Sequence, residues 1–136
     1  MMTRARTGAV AAVLGLAACV HAPEPEVRVD PVIANAVLAS AAAQVRRCYR
    51  SPTTSSASRR IVTRLAVHLN PDGSLASLPM LLGQSGVDAD NGAEAPRMAE
   101  AASLAVIRCA PLRLPPEQYA QIWRSIELTF SPLRRV

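Results

Sequence analysis

The sequence predicts a small α+β domain in the order αββαβ. Its three-stranded antiparallel sheet has the order 2-1-3, with two helices packed on one face. Three observations predict it. Apolar residues recur at helical spacing over residues 31–48 and again over 95–109. Residues 61–69 and 125–130 alternate apolar and polar, as half-buried strands do. Between the first strand and the next leucine-rich run stands Asn70-Pro71-Asp72-Gly73, in which proline presets φ and glycine supplies φ > 0 for a hairpin turn.

The elements follow in order. Asp30-Pro31 reads as an N-cap and a first-turn proline, opening a helix whose stripe is Ile33, Val37, Ala41, Val45 and Cys48. Arg46, Arg47 and Arg50 lie in or just past its last turn, where cations complement the helix dipole. Residues 51–58 read as a polar loop. In the first strand Ile61, Leu65, Val67 and Leu69 face one way, Arg64 and His68 the other. The second strand is expected over Leu75 to Leu82, with Leu78, Met80 and Leu82 on one face and Pro79 placing it at a sheet edge. Residues 83–93 read as an acidic loop. A second helix carries Met98, Ala101, Ala102, Ala105 and Cys109 as its stripe, and Pro111, Pro115 and Pro116 stop it. In the last strand Ile126, Leu128 and Phe130 alternate with Ser125, Glu127 and Thr129. Right-handed crossover sets that strand beside the first and leaves both outer strands with free edges.

Length and composition set bounds. The 136 residues allow one domain with a modest core. Aromatics make up only 3% of the chain, so Val, Leu, Ile and Ala must fill the interior. The formal charge is +5, all of the basic residues being Arg, and it falls to +3 once Arg4 and Arg6 are set aside. The arginines are dispersed and lack interleaved aromatics, which argues against nucleic acid as a partner.

Arg4 and Arg6 precede an apolar run from Gly8 to Leu16, shorter than the roughly 20 residues a helix needs to span a bilayer. The run ends in Leu16-Ala17-Ala18-Cys19, which resembles the lipobox of bacterial lipoproteins. The expected organisation is a signal peptide over 1–18, a tether over 19–30, a folded domain over 31–132 and a tail over 133–136. Cys19 is the expected lipidation site, its thiol accepting a diacylglycerol anchor of the palmitate kind. The competing readings are an ordinary signal peptide with a chance cysteine, or a short core helix. Val20, in place of Asp after the cysteine, favours the outer membrane by analogy with Gram-negative lipoproteins, with the domain on the periplasmic face. Pro23 and Pro25 stiffen the tether, and its ten or so residues reach only ~30 Å.

Several ordered blocks carry a family resemblance. Asn70-Pro71-Asp72-Gly73-Ser74-Leu75, Ala105 to Leu114 (AVIRCAPLRL), Pro115-Pro116-Glu117-Gln118-Tyr119 and Trp123 to Phe130 (WRSIELTF) together resemble the C-terminal domains of the TolA/TonB superfamily. The nearest likeness is to TolA C-terminal-like domains of alphaproteobacterial type. The resemblance implies a periplasmic protein-binding module without catalysis, whose partner adds a strand to a sheet edge. That edge falls on the last strand, at Ser125, Glu127 and Thr129; the alternative is a merely structural strand with solvated outward residues. The expected partner is a periplasmic or outer-membrane protein, a Tol–Pal-like component among the candidates, and a homodimer through the free edge is a further possibility. This chain shows neither the inner-membrane helix nor the long spacer of TolA and TonB, so a passive adaptor is expected in place of an energy transducer.

Cys48 and Cys109 close the two helices, and in an oxidising compartment they point to a disulfide; comparable bridges occur in the resembling family. The alternative is two buried free thiols, and a Cα separation beyond about 7 Å would decide for it. No catalytic, cofactor or metal site is expected. His68 is the one histidine of the folded part, and two cysteines with one histidine fit no zinc pattern. Asp88, Asp90 and Asn91 miss the EF-hand spacing and read as a solvated loop. Trp123 is read as packing with Tyr119, against the alternative of an interface anchor. Two other functions compete with the adaptor: a pilotin-like assembly or secretion lipoprotein using a groove, and a small periplasmic enzyme with a pocket around His68.

Overall fold

The computed structural model describes residues 28–132. Helix α1 spans Pro31–Cys48, strand β1 Val62–His68, strand β2 Met80–Ser85, helix α2 Ala95–Cys109 and strand β3 Ser125–Phe130. The Asp30 carboxylate caps α1 by accepting from the Val32 N–H at 2.8 Å, with Pro31 following at the first helical position. All strand pairs are antiparallel and the order is β2-β1-β3, as the crossover argument requires. Among the described residues no helix is long and apolar enough to cross a membrane.

One core holds these layers together. The inner face of the sheet presents Leu65, Val67, Ile126 and Leu128, and beneath it lie Val37, Ala41 and Val45 of α1 with Ala102, Ala105 and Val106 of α2. Small residues on both helices let them approach the sheet closely, so a chain poor in aromatics still closes its interior. Trp123 is the largest filler, 1% exposed, and its indole N–H donates to the Pro115 carbonyl at 2.7 Å. Tyr119 meets it edge-on with ring centroids 4.7 Å apart, so Trp123 packs the core. Arg64, Ala66 and His68 project on the other, helix-free face of the sheet with Ser125, Glu127 and Thr129.

Three expectations need correction. The second strand does not run from Leu75 to Leu82: it begins at Met80 and continues past Leu82 through Gly83, Gln84 and Ser85, into the stretch expected as a loop. Leu75 makes only an isolated bridge to Leu69, and Pro79 marks where pairing begins. Second, Leu78, Met80 and Leu82 do not form a buried stripe. They are 73%, 56% and 47% exposed, and Leu81 is 52% exposed. The register accounts for two of them: Met80 pairs with Ala66 and so lies on the helix-free face, and Leu82 is an extra residue at a bulge, since Leu65 pairs with Leu81 while Arg64 pairs with Gly83; Leu78 precedes the strand. Third, Ile33 is exposed, since α1 enters the core only from Val37 onward.

Candidate functional site at the sheet edge

The edge expected to bind a partner can be built from hydrogen-bond phase. In an antiparallel ladder alternate residues turn both main-chain groups toward one neighbour, and the residues between them turn both away. The Leu69 N–H donates to the Arg124 carbonyl at 2.9 Å, and the register continues as Val67↔Ile126, Leu65↔Leu128 and Thr63↔Phe130. Ile126, Leu128 and Phe130 therefore spend their main-chain groups on β1. Ser125, Glu127 and Thr129 direct theirs to the other side, where no strand pairs among the described residues. The same three residues carry exposed side chains on the helix-free face.

The two edges of the sheet differ. β3 pairs with β1 through six consecutive residues without a shift in register, and it contains no proline. The β2 edge is interrupted by its bulge at Leu82 and preceded by Pro79, features that blunt an edge against pairing. Only β3 keeps the geometry that an added strand needs.

On the helix side, β3 borders a groove. A cavity of about 670 Å³ lies between the last turns of α1 and the end of β3, with Ala42, Val45, Arg46 and Tyr49 on one wall and Leu128 and Phe130 on the other. Tyr49 leaves the helix with its ring centroid 5.9 Å from that of Phe130, and burial pushes its phenol above the ordinary tyrosine pKa. Cys48 and Cys109 are joined in a disulfide, their Cα atoms 5.7 Å apart, which ties the end of α1 to the end of α2. The bridge fixes the helix turn that supplies this wall.

Electrostatics at the edge are local. The Arg64 guanidinium donates to the Glu127 carboxylate at 2.6 Å across the helix-free face. That hydrogen bond holds the Glu127 carboxyl below the usual carboxylate range and raises Arg64. Glu127 is thus turned along the sheet face, leaving its main chain to face outward.

No family model, no curated protein and no solved structure matches this chain. Its site is accordingly read from its own residues. His68 is half-buried on the helix-free face and lines neither this groove nor the shallower cavity beside Cys48 and Cys109. Asn91 is fully buried: it accepts from the Asp88 N–H and donates to the Ala57 and Gly86 carbonyls, so the acidic loop is pinned by an amide. Asp88 pairs with Arg60 at 2.6 Å. Among the described residues no group of three or more His, Cys, Asp or Glu is placed to hold a metal ion. Cys19 and the tether preceding Arg28 lie outside the described residues, as does the tail from Leu133.

Nothing in the sequence marks Arg46 and Tyr49 as site residues: Arg46 reads as a dipole partner, and Tyr49 stands just past the helix, where periodicity carries no information.

Proposed function

We propose that this protein is a lipid-anchored adaptor on the periplasmic face of the cell envelope, held by Cys19 and favouring the outer membrane, that binds an envelope protein by strand addition along β3. The observation that carries the reading is the contrast between the edges: β3 offers a regular, proline-free run with the Ser125, Glu127 and Thr129 main chains turned outward, while β2 is blunted. Unpaired main-chain groups supply affinity in such complexes, and side chains on alternate faces select the partner. The TolA/TonB-like sequence blocks support the same mode of binding, and a tether reaching ~30 Å suits holding over pulling. The role is binding without catalysis or energy transduction, with a Tol–Pal-like component as one candidate partner.

The test is crosslinking in intact envelopes with wild type, Cys19→Ala and Glu127→Pro side by side. Wild type should trap an envelope protein. Cys19→Ala should lose the adduct by losing the anchor, and Glu127→Pro should lose it while remaining folded and anchored. An adduct that survives Glu127→Pro removes strand addition as the mode of binding.

A second reading rests on the exposed Leu78, Met80, Leu81 and Leu82. Exposed apolar side chains gathered along one sheet edge suit a contact surface, and a pilotin-like assembly lipoprotein would use them. Loss of the adduct in Leu81→Asp, with Glu127→Pro silent, would favour it.

A further inference from the structure

The groove between α1 and β3 says what kind of segment the edge selects. Residues of an added strand alternate between the two faces of the sheet, whichever way the strand runs. Those on the helix-free face lie beside Ser125, Glu127 and Thr129. Those on the helix side, next to Leu128 and Phe130, project over α1, where the cavity opens. Ala42, Val45, Tyr49, Leu128 and Phe130 supply apolar wall, Ser51, Thr129 and Ser131 polar wall, and the volume of about 670 Å³ accommodates large side chains. Its one charged wall residue is Arg46; no carboxylate lines it, and among the described residues Arg46 makes no ion pair. Arg50, also exposed, lies two residues past the end of α1.

We infer that the β3 edge selects an extended acidic–apolar segment: a bulky apolar side chain seated between Val45, Tyr49 and Phe130, and an Asp or Glu at the next helix-side position, two residues away, on Arg46. The inference rests on strand addition at β3 and goes further by assigning the partner's chemistry. An apolar side chain seated here exchanges water for the apolar surfaces of Val45, Tyr49 and Phe130. The guanidinium supplies a planar donor pair that matches a carboxylate bidentately, which selects an acid over a neutral residue. A basic segment would set like charges together and be rejected, so the site discriminates by repulsion as well as attraction.

A phage-displayed random-peptide selection on the full chain in detergent, disulfide intact, tests this. Enriched peptides are then made synthetically and titrated by fluorescence anisotropy. The enriched sequences should share an apolar residue with Asp or Glu two positions away. Arg46→Glu should weaken them roughly fivefold, the scale of an exposed ion pair, and peptides with Lys in place of the acid should recover binding to that variant. Glu127→Pro, at an edge residue outside the groove, should abolish both interactions by removing an outward N–H. Peptides lost with Glu127→Pro but indifferent to Arg46→Glu, or lacking the acid, would overturn the inference while leaving strand addition standing. Peptides insensitive to Glu127→Pro would remove strand addition itself. A dimer that dissociates on Arg46→Glu would assign the groove to a second copy. Peptide binding that appears only after deletion of residues 133–136 would assign it to the chain's own tail. Either result overturns the inference.

Discussion

Proline placed at adjacent positions of β3 should have opposite consequences. At Glu127 the N–H faces away from β1, so proline forfeits no ladder bond, and its φ of about −65° lies within the β region. At Leu128 the N–H bonds to β1 opposite Leu65, and the side chain is 5% exposed in the core. Leu128→Pro loses about 1 kcal/mol with the ladder bond and about 2–5 kcal/mol with the leucine side chain. That sum of at least about 3 kcal/mol is a large share of the 5–15 kcal/mol by which domains are ordinarily stable. Glu127→Pro should stay near wild type, because what it removes is an exposed side chain and its surface ion pair to Arg64. Urea unfolding followed by far-UV circular dichroism reads both, with the midpoint shifting strongly for Leu128→Pro alone. Equal destabilisation by the two prolines would show that the ladder phase is wrong, and with it the assignment of Ser125, Glu127 and Thr129 to the open edge.

Reduction of the Cys48–Cys109 bridge, or the double serine variant, should cost about 4 kcal/mol by chain entropy for a sequence separation of 61, measured as a lower urea midpoint. Gly73→Ala should destabilise by at least about 2 kcal/mol, read as a lower Tm. Gly73 has φ +84°, and an added Cβ would stand 1.9 Å from the Leu112 carbonyl oxygen. Acid should weaken the fold. Asp72 is held below its ordinary 3.8 by the Ser74 hydroxyl and N–H, Asp88 likewise by Arg60, and Glu94 below 4.5 by the Ser55 hydroxyl and N–H. Groups depressed in this way stabilise the fold above the unfolded values and lose that contribution as pH falls through the folded ones. Tm should therefore be flat near neutrality and fall below about pH 4, and Glu94→Gln should flatten part of that fall.

The sequence carried the parts of the fold that depend on period. Val37, Ala41 and Val45 recur with the helix and are buried with it, and Ile126, Leu128 and Phe130 alternate with the strand and face the core. It misplaced β2 because neither register nor a bulge has a periodic signature: Met80 pairs with Ala66 on the helix-free face, and one extra residue at Leu82 breaks the alternation where periodicity expects a core stripe. Asn91 was invisible for another reason. A buried amide serving Asp88, Ala57 and Gly86 reads in sequence like any polar loop residue, because its partners stand up to 34 positions away. That Ser125, Glu127 and Thr129 turn their side chains away from the core and their main-chain groups away from β1 follows from alternation, since strand alternation and ladder phase share a period of two. The groove does not, because it exists only where α1 and β3 meet.

The open edge carries a feature that disfavours its closing on a second copy. A two-fold antiparallel pairing of β3 with a second β3 must match outward residues with outward residues. The register that uses the whole strand is centred on Glu127, and it places Ser125 opposite Thr129 and Glu127 opposite its own copy. Like charges directly opposite each other destabilise a cross-strand pair, and shifting the register by two residues in either direction shortens an already short ladder. Glu127 thus disfavours pairing of this edge with its own copy. The Arg64 pair softens this repulsion without removing it, because Arg64 stands one strand away on β1. Glu127→Thr should raise the tendency to dimerise, visible by sedimentation velocity as a concentration-dependent shift from monomer toward dimer. Thr129→Pro added to Glu127→Thr should restore the monomer by removing an outward N–H from the new interface. A Glu127→Thr protein that stays monomeric at high micromolar concentration would show that something other than this carboxylate keeps the edge apart. So would a wild type already dimeric through β3.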